Sequence, residues 1–196
     1  QRNIISGNGK DGLYLYQTSS NNTILNNYIG VDITGTTALS NGYSGIVINM
    51  PQNNQIGNGT EEGRNIISGN LHRGIYITGG ARHTKIQGNY IGTDVTGTVN
   101  IGNTYAGVEI LGGSKHTIIG TDSDGINDEN EGNLISCNDF RGGAVTGANS
   151  NVLIRDNGAD SNYVAGNLIG TDKTGMALLP NCGVRGIQVL GGTANR

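Results

Sequence analysis

N-L-H-R-G-I-Y-I-T-G-G-A-R-H-T-K-I-Q-G, residues 70–88, carries a skeleton that returns along the whole chain. The skeleton is an asparagine, three residues, a glycine and then an aliphatic-x-aliphatic triplet. It joins Asn8 and Gly12 to Leu13 and Leu15, Asn41 and Gly45 to Ile46 and Ile48, and Asn70 and Gly74 to Ile75 and Ile77. It continues with Asn103, Gly107, Val108 and Ile110, then a degraded copy with Asn138, Gly142 and Val145, then Asn181, Gly186, Ile187 and Val189. The glycines are 33, 29, 33, 35 and 44 residues apart, which is the spacing of supersecondary units stacked into a solenoid.

Alternation within each triplet is the mark of a half-buried strand, and no copy has the 3.6-residue period of a helix. A second repeated position follows at Asn21, Asn53, His83, His116, Asn151 and Asn195, with an aliphatic three residues beyond it at Ile24, Ile56, Ile86, Ile119 and Ile154. A third short strand closes each unit: Tyr28-Ile29, Ile66-Ile67, Tyr90-Ile91, Leu134-Ile135 and Leu168-Ile169. Three short strands returning to the same place describe one coil of a right-handed parallel β-helix, with about five to six coils in a single domain over residues 1–196. In this register Leu13, Ile46, Ile75, Val108 and Ile187 form one inward column, and Leu15, Ile48, Ile77, Ile110, Val145 and Val189 a second. The fifth coil then has residues 143–145 as its first strand and residues 155–167 as a loop added between its second and third.

Composition agrees with many tight corners around an aliphatic core. Glycine takes 35 and asparagine 27 of the 196 positions, and these are the residues that tolerate the positive φ a corner needs. Aromatics are 5%, tryptophan is absent and Phe140 is the sole phenylalanine, so aliphatic columns must fill the interior. A charged fraction of only 14% without charge runs, on strands that all carry aliphatics to bury, argues against disorder. A net charge of -3 leaves no basic face, which excludes nucleic acid as the expected partner. No stretch approaches the ~18 apolar residues of a membrane span.

The loops alternate. V-D-I-T-G-T-T-A-L-S-N at 31–41 returns as T-D-V-T-G-T-V-N-I-G-N at 93–103 and T-D-K-T-G-M-A-L-L-P-N at 171–181, while the other coils carry Gly-rich acidic inserts at 57–64 and 120–132. Cys137 and Cys182 stand beside the corner asparagines of successive coils; whether they bond is open, since their lateral offset competes with the ~7 Å Cα limit of a disulfide. The chain opens on Gln1 inside one repeat and closes on Asn195-Arg196 inside another. Both end coils read as incomplete, so the expectation is the interior of a longer β-helix or an object that self-associates end to end.

The signatures R-N-I-I-S-G-N at 2–8 and 64–70 and G-N-Y-I-G-T-D-x-T-G-T at 88–98 resemble those of right-handed parallel β-helix repeat proteins of the pectate-lyase-like superfamily. The resemblance covers essentially the whole chain. It implies a secreted or cell-surface protein, and it specifies fold better than function, because one solenoid serves lyases, hydrolases, adhesins and surface-layer proteins.

Catalysis needs residues that occur once, so the repeated Asp32, Asp94 and Asp172 read as turn devices whose carboxylates accept backbone N–H groups two residues on. The corner asparagines read as amide ladders. Glycosidase chemistry needs two separated carboxylates, and the Asp-Asp and G-H-G signatures of the superfamily's hydrolases are absent. The lyases of the superfamily hold Ca²⁺ beside an Arg or Lys base; Arg141, Arg155, Asp156 and Asp160 are the candidates here for that pattern. Asp122, Asp124, Asp128 and Glu129 offer closely spaced oxygens suited to Ca²⁺. His83 and His116 are placed to stack, with no recurring third metal ligand. Tyr14 and Tyr76 point outward roughly 9.6 Å apart, two strand spacings, as faces for a sugar ring, in a stripe interrupted by Val47, Glu109 and Ala144. The functional expectation is a structural or binding segment of an extracellular or cell-surface protein, with a polysaccharide or cell-surface glycan as partner. The alternative is a polysaccharide lyase or glycoside hydrolase acting on an acidic glycan.

Overall fold

A computed structural model describes residues 1–138, 150–179, 182 and 185–196. The chain is a parallel β-helix. The first sheet stacks Leu13–Tyr16, Ile46–Asn49, Ile75–Thr78, Val108–Ile110, Val152–Arg155 and Ile187–Leu190. The second stacks Thr23–Ile24, Gln55–Ile56, Lys85–Ile86, Ile118–Gly120 and Tyr163–Ala165. The third stacks Asn3–Ile5, Asn27–Ile29, Ile66–Ile67, Tyr90–Ile91, Leu134–Ile135 and Leu168–Ile169. Every pairing between these strands is parallel and joins the same position of successive coils. Ile46, Ile48, Ile56, Ile67, Ile75, Ile77, Ile86 and Ile91 are all 0% exposed and form one continuous interior.

Asparagine holds two of the corners. Before the third sheet, Asn3, Asn27, Asn65, Asn89 and Asn133 donate Nδ2 to the Oδ1 of the next coil's asparagine at 2.8 to 3.1 Å, the ladder ending on Asn167. After it, Asn8, Asn41, Asn70, Asn103 and Asn138 do the same at 2.8 to 3.0 Å. Each amide also meets the backbone; Asn65 Nδ2 reaches the Ile24 carbonyl at 2.8 Å and Asn65 Oδ1 accepts the Asn27 N–H at 3.0 Å. A buried corner therefore keeps its polar groups satisfied without water.

The fifth coil departs from the sequence register. Its first strand is Val152–Arg155, with Val152 beside Val108 and Ile154 beside Ile110, so Val152 and Ile154 occupy the columns expected for residues around Val145. Asn151 stands where the other coils have glycine, its carbonyl accepting the Val108 N–H as that of Gly107 accepts the Ile75 N–H, and it is not the second-corner residue. That corner has positive φ at Asn21, Asn53, His83, His116, Ser161 and Ala194, which replaces Asn151 by Ser161 and Asn195 by Ala194. The second strand is Tyr163–Ala165, with Val164 beside Ile119. The extra length thus precedes the first strand. A constant offset from the corner asparagine cannot see such an insertion, and V-L-I buries more apolar surface than G-A-V. Phe140, Gly142, Val145 and Asn181 lie outside the described residues.

The D-x-T-G loops are hairpins closed by antiparallel bridges Val31 to Ala38, Thr93 to Asn100 and Thr171 to Leu178. They fold over the outer face of the third sheet, where Tyr28, Val31, Ile66 and Ile101 form a second buried cluster with Tyr90 and Val95. Successive hairpins touch: the Val95 N–H donates to the Gly35 carbonyl at 2.9 Å and the Lys173 N–H to that of Gly97 at 3.0 Å. Gly35 must be glycine, since its φ is +69° and a Cβ would lie 2.7 Å from the Tyr28 ring. The carboxylates act as loop staples: Asp172 Oδ1 accepts the Thr174 N–H two residues on at 3.0 Å, as expected, while the other two reach four and five residues on. Asp32 Oδ1 accepts from the N–H of Thr36 at 3.2 Å and Thr37 at 3.3 Å, and Asp94 Oδ1 from Thr98 at 3.1 Å and Val99 at 3.0 Å.

Cys137 and Cys182 are disulfide-bonded, with Cα atoms 3.9 Å apart. Adjacent coils bring the two corners within reach, which resolves the offset that left the pairing open. Cys137 has φ +62° where the equivalent Gly7 and Gly69 have +73°, so the bridge sits at a left-handed corner that a side chain enters only at some strain.

Candidate functional site

Outward positions of the first sheet run Tyr14, Val47, Tyr76, Glu109, Leu153 and Gln188. Leu153 takes the place expected for Ala144, which lies outside the described residues. Val47 does not interrupt the tyrosines as a bump would. It is 4% exposed and forms the floor of a cleft of about 160 Å³ walled by Tyr14, Tyr43, His72, Arg73 and Tyr76, with Asp11 at one side. Tyr14 and Tyr43 are 52% and 56% exposed, so their faces are open to a ligand. Asn49 Nδ2 donates to the Tyr14 hydroxyl at 3.1 Å and steadies that ring.

A buried charge cluster anchors the cleft. Glu109 has a fully buried side chain and receives Arg155 Nε on Oε1 at 2.6 Å and Arg73 Nε on Oε2. The Arg73 guanidinium lies 4.2 Å from the Tyr76 ring centre and 5.0 Å from that of Tyr105, a cation–π contact with each. His72 stacks on Tyr105 at 5.2 Å with 8° between planes, and its Nδ1 faces Arg73 Nη1. Nδ1 must accept from the guanidinium, so the ring is neutral there. Burial, then the charge of Arg73, push the His72 pKa below the ordinary value, with Asp11 opposing. Burial also lowers that of Arg73, which remains charged because an arginine starts so high.

Of the residues singled out from sequence, the cleft brings together Tyr14 and Tyr76, and Arg155 lies behind it through Glu109. Arg155 is not joined by Asp156 or Asp160. Asp156 follows the strand in a left-handed turn, φ +71°. Asp160 belongs to the second corner, where it accepts Lys115 Nζ at 2.8 Å and the Thr193 N–H at 2.8 Å. These bonds, the Lys115 one first, hold its carboxyl below the usual carboxylate range. Arg141 lies outside the described residues. Sequence reasoning passed over Asp11, His72, Arg73 and Tyr105. Glu109 was visible as a lone acid within V-E-I, a signal read only as a gap in an aromatic stripe.

In the acidic insert, oxygens of Asp122, Asp124 and Asp128 lie within 4.8 Å of one another. Glu129 is not among them and accepts from Asn130 Nδ2 at 3.1 Å. The Lys85 ammonium pairs with Asp122, lowering the aspartate pKa and raising its own; it supplies a positive charge where a hard cation would otherwise have to.

Compared with protein-family models, curated proteins and solved structures, the chain matches none of them.

Proposed function

We propose that the chain is a carbohydrate-binding β-helix segment of a secreted or cell-surface protein, kin to the pectate-lyase-like β-helices whose coil signatures it resembles. The cleft on the first sheet is its glycan site. The observation that carries the reading is the group of Tyr14, Tyr43 and Tyr76 around Arg73: flat, amphipathic faces beside fixed N–H donors suit a ring with one apolar side and hydroxyls at its rim. The Cys137–Cys182 disulfide supports an oxidising compartment, as bridges are rare where glutathione keeps thiols reduced. The enzymatic alternative finds little here to work with: both Glu109 oxygens are held by arginines, and Asp11 accepts the Ser44 N–H at 2.9 Å.

Calorimetric titration with a panel of neutral and acidic oligosaccharides tests this. Binding by the native chain, weakened about tenfold or more by Tyr14→Ala and by Tyr76→Ala, a loss of ~1.4 kcal/mol, is the expected result. Saccharides that bind both variants as they bind the native chain would remove the cleft from the reading. Release of unsaturated or reducing ends from any of them would install the lyase or hydrolase in its place.

A further inference from the structure

We propose that His83 and His116 form a two-histidine chelate for a divalent transition-metal ion of the imidazole-preferring class, Cu²⁺, Ni²⁺ or Zn²⁺, clipping together two successive coils. The site is separate from the cleft and does not rest on it.

The two residues hold the same second-corner position on adjacent coils, with φ of +54° and +55°, and the His83 N–H donates to the Lys115 carbonyl at 3.2 Å. Their backbones are therefore fixed relative to one another. The rings lie 5.0 Å apart at 7° between planes, and both side chains are exposed. Stacked faces aim their lone pairs side by side, but χ2 of histidine is a broad torsion. A modest turn of both exposed rings lets one nitrogen of each approach a shared ion at the ~2.0–2.1 Å of a metal–imidazole bond. Water completes the coordination. Once one imidazole binds, the second is already in place, which is the effective-concentration gain of a chelate.

The same two coils break the repeat one residue further on. The inner ladder at this corner runs through Asn22, Asn54, Asn162 and Asn195, where Asn22 Nδ2 donates to Asn54 at 3.1 Å and Asn162 Nδ2 to Asn195 at 3.1 Å. Between them stand Thr84 and Thr117, whose buried hydroxyls have no hydrogen-bond partner, and Asn54 Nδ2 is left without one as well. The ladder is interrupted on the rungs that carry the imidazoles, and such local breaks of a repeat are where function is expected. The nearby cations do not close the site. Lys115 is paired with Asp160 at 2.8 Å, which also brings a carboxylate to this corner, and Arg82 is exposed and screened by salt. Borderline-soft ions prefer such nitrogen donors, whereas the oxygen-only acidic insert suits hard ones.

Titrate the tag-free chain with Cu²⁺ and with Ni²⁺, following heat and, for Cu²⁺, the spin-resonance signature of nitrogen ligands. The expected result is one ion bound, with affinity falling at least about tenfold in His83→Asn and in His116→Asn. Asparagine already fills this corner at Asn21 and Asn53, so both variants keep the fold, which their melting curves verify. His72→Asn, altering the remaining histidine, should bind as the native chain does. A native chain that takes up neither ion at millimolar concentration overturns the chelate. So does binding that survives both corner variants, or that disappears in His72→Asn alone.

Discussion

The outer faces of the third and first sheets begin from the same backbone and end with opposite characters. On the third sheet Tyr28, Ile66 and Leu134 point outward and are 4%, 1% and 2% exposed, because hairpins from alternate coils close over them. On the first sheet the outward column keeps Tyr14 half open and buries a single carboxylate between two guanidiniums. A solenoid has one interior by construction. It gains a second only where its loops recur regularly enough to tile, and it gains a site where they do not. The repeated hairpins cover the middle of the third sheet, whereas the first sheet leaves Tyr14 facing solvent and locks Glu109 in a charge pair.

The sharpest way to break that contrast is Glu109→Ala. It strands Arg73 and Arg155 beside an empty, fully buried position, and should cost about 3–5 kcal/mol in denaturant melts. A loss below ~1 kcal/mol, the level of a surface pair, would mean that water reaches the cluster and that Arg73 is not a fixed wall of the cleft.

Next is Ile66→Ala, which should lose roughly 2–5 kcal/mol through a cavity between sheet and hairpins. Were it to melt like the native chain, the hairpins would be lifting off in solution and the third sheet would have no second interior.

Acid separates the two faces by pH window. The His72 pKa is depressed in the folded state, so the unfolded chain binds more protons; the stabilisation is complete above ~6.5 and is lost as pH falls through the lower folded value. The carboxyls of Asp32 and Asp172, held down first by Thr34 and Thr174, and of Asp122, held down first by Lys85, give a separate decline below ~4. Melts of His72→Asn should lack the upper step and keep the lower. Retention of the upper step would assign it elsewhere and leave His72 indifferent to its arginine.

The smallest effect on stability belongs to Tyr14→Ala, within about 0.5 kcal/mol of the native chain as for an exposed side chain, although it should weaken glycan binding. A large destabilisation would make Tyr14 part of the fold and not of a site.

Local patterns were enough to specify the coil. An asparagine before a glycine and an aliphatic alternation are short-range devices, and each strand repeats them within a few residues, so the columns from Leu13 to Val108 and the rung from Ile24 to Ile119 could be read directly. The stacking of His83 on His116 followed from the same register, because equal positions on successive coils must lie one strand spacing apart. The fifth coil depended on long-range packing. An insertion before Val152 leaves every local pattern intact while moving residues 151–165 to different positions of the coil, so Ser161 rather than Asn151 takes the left-handed turn, and the register is regained at Leu168-Ile169. Long-range packing also decided which loops tile and which acids act. Asp11, Arg73, Glu109 and Arg155 come from four different coils, and Cys137 meets Cys182 across 45 residues. Contacts of that kind depend on the lateral offset between coils, a sum over all intervening loop lengths that no single repeat contains.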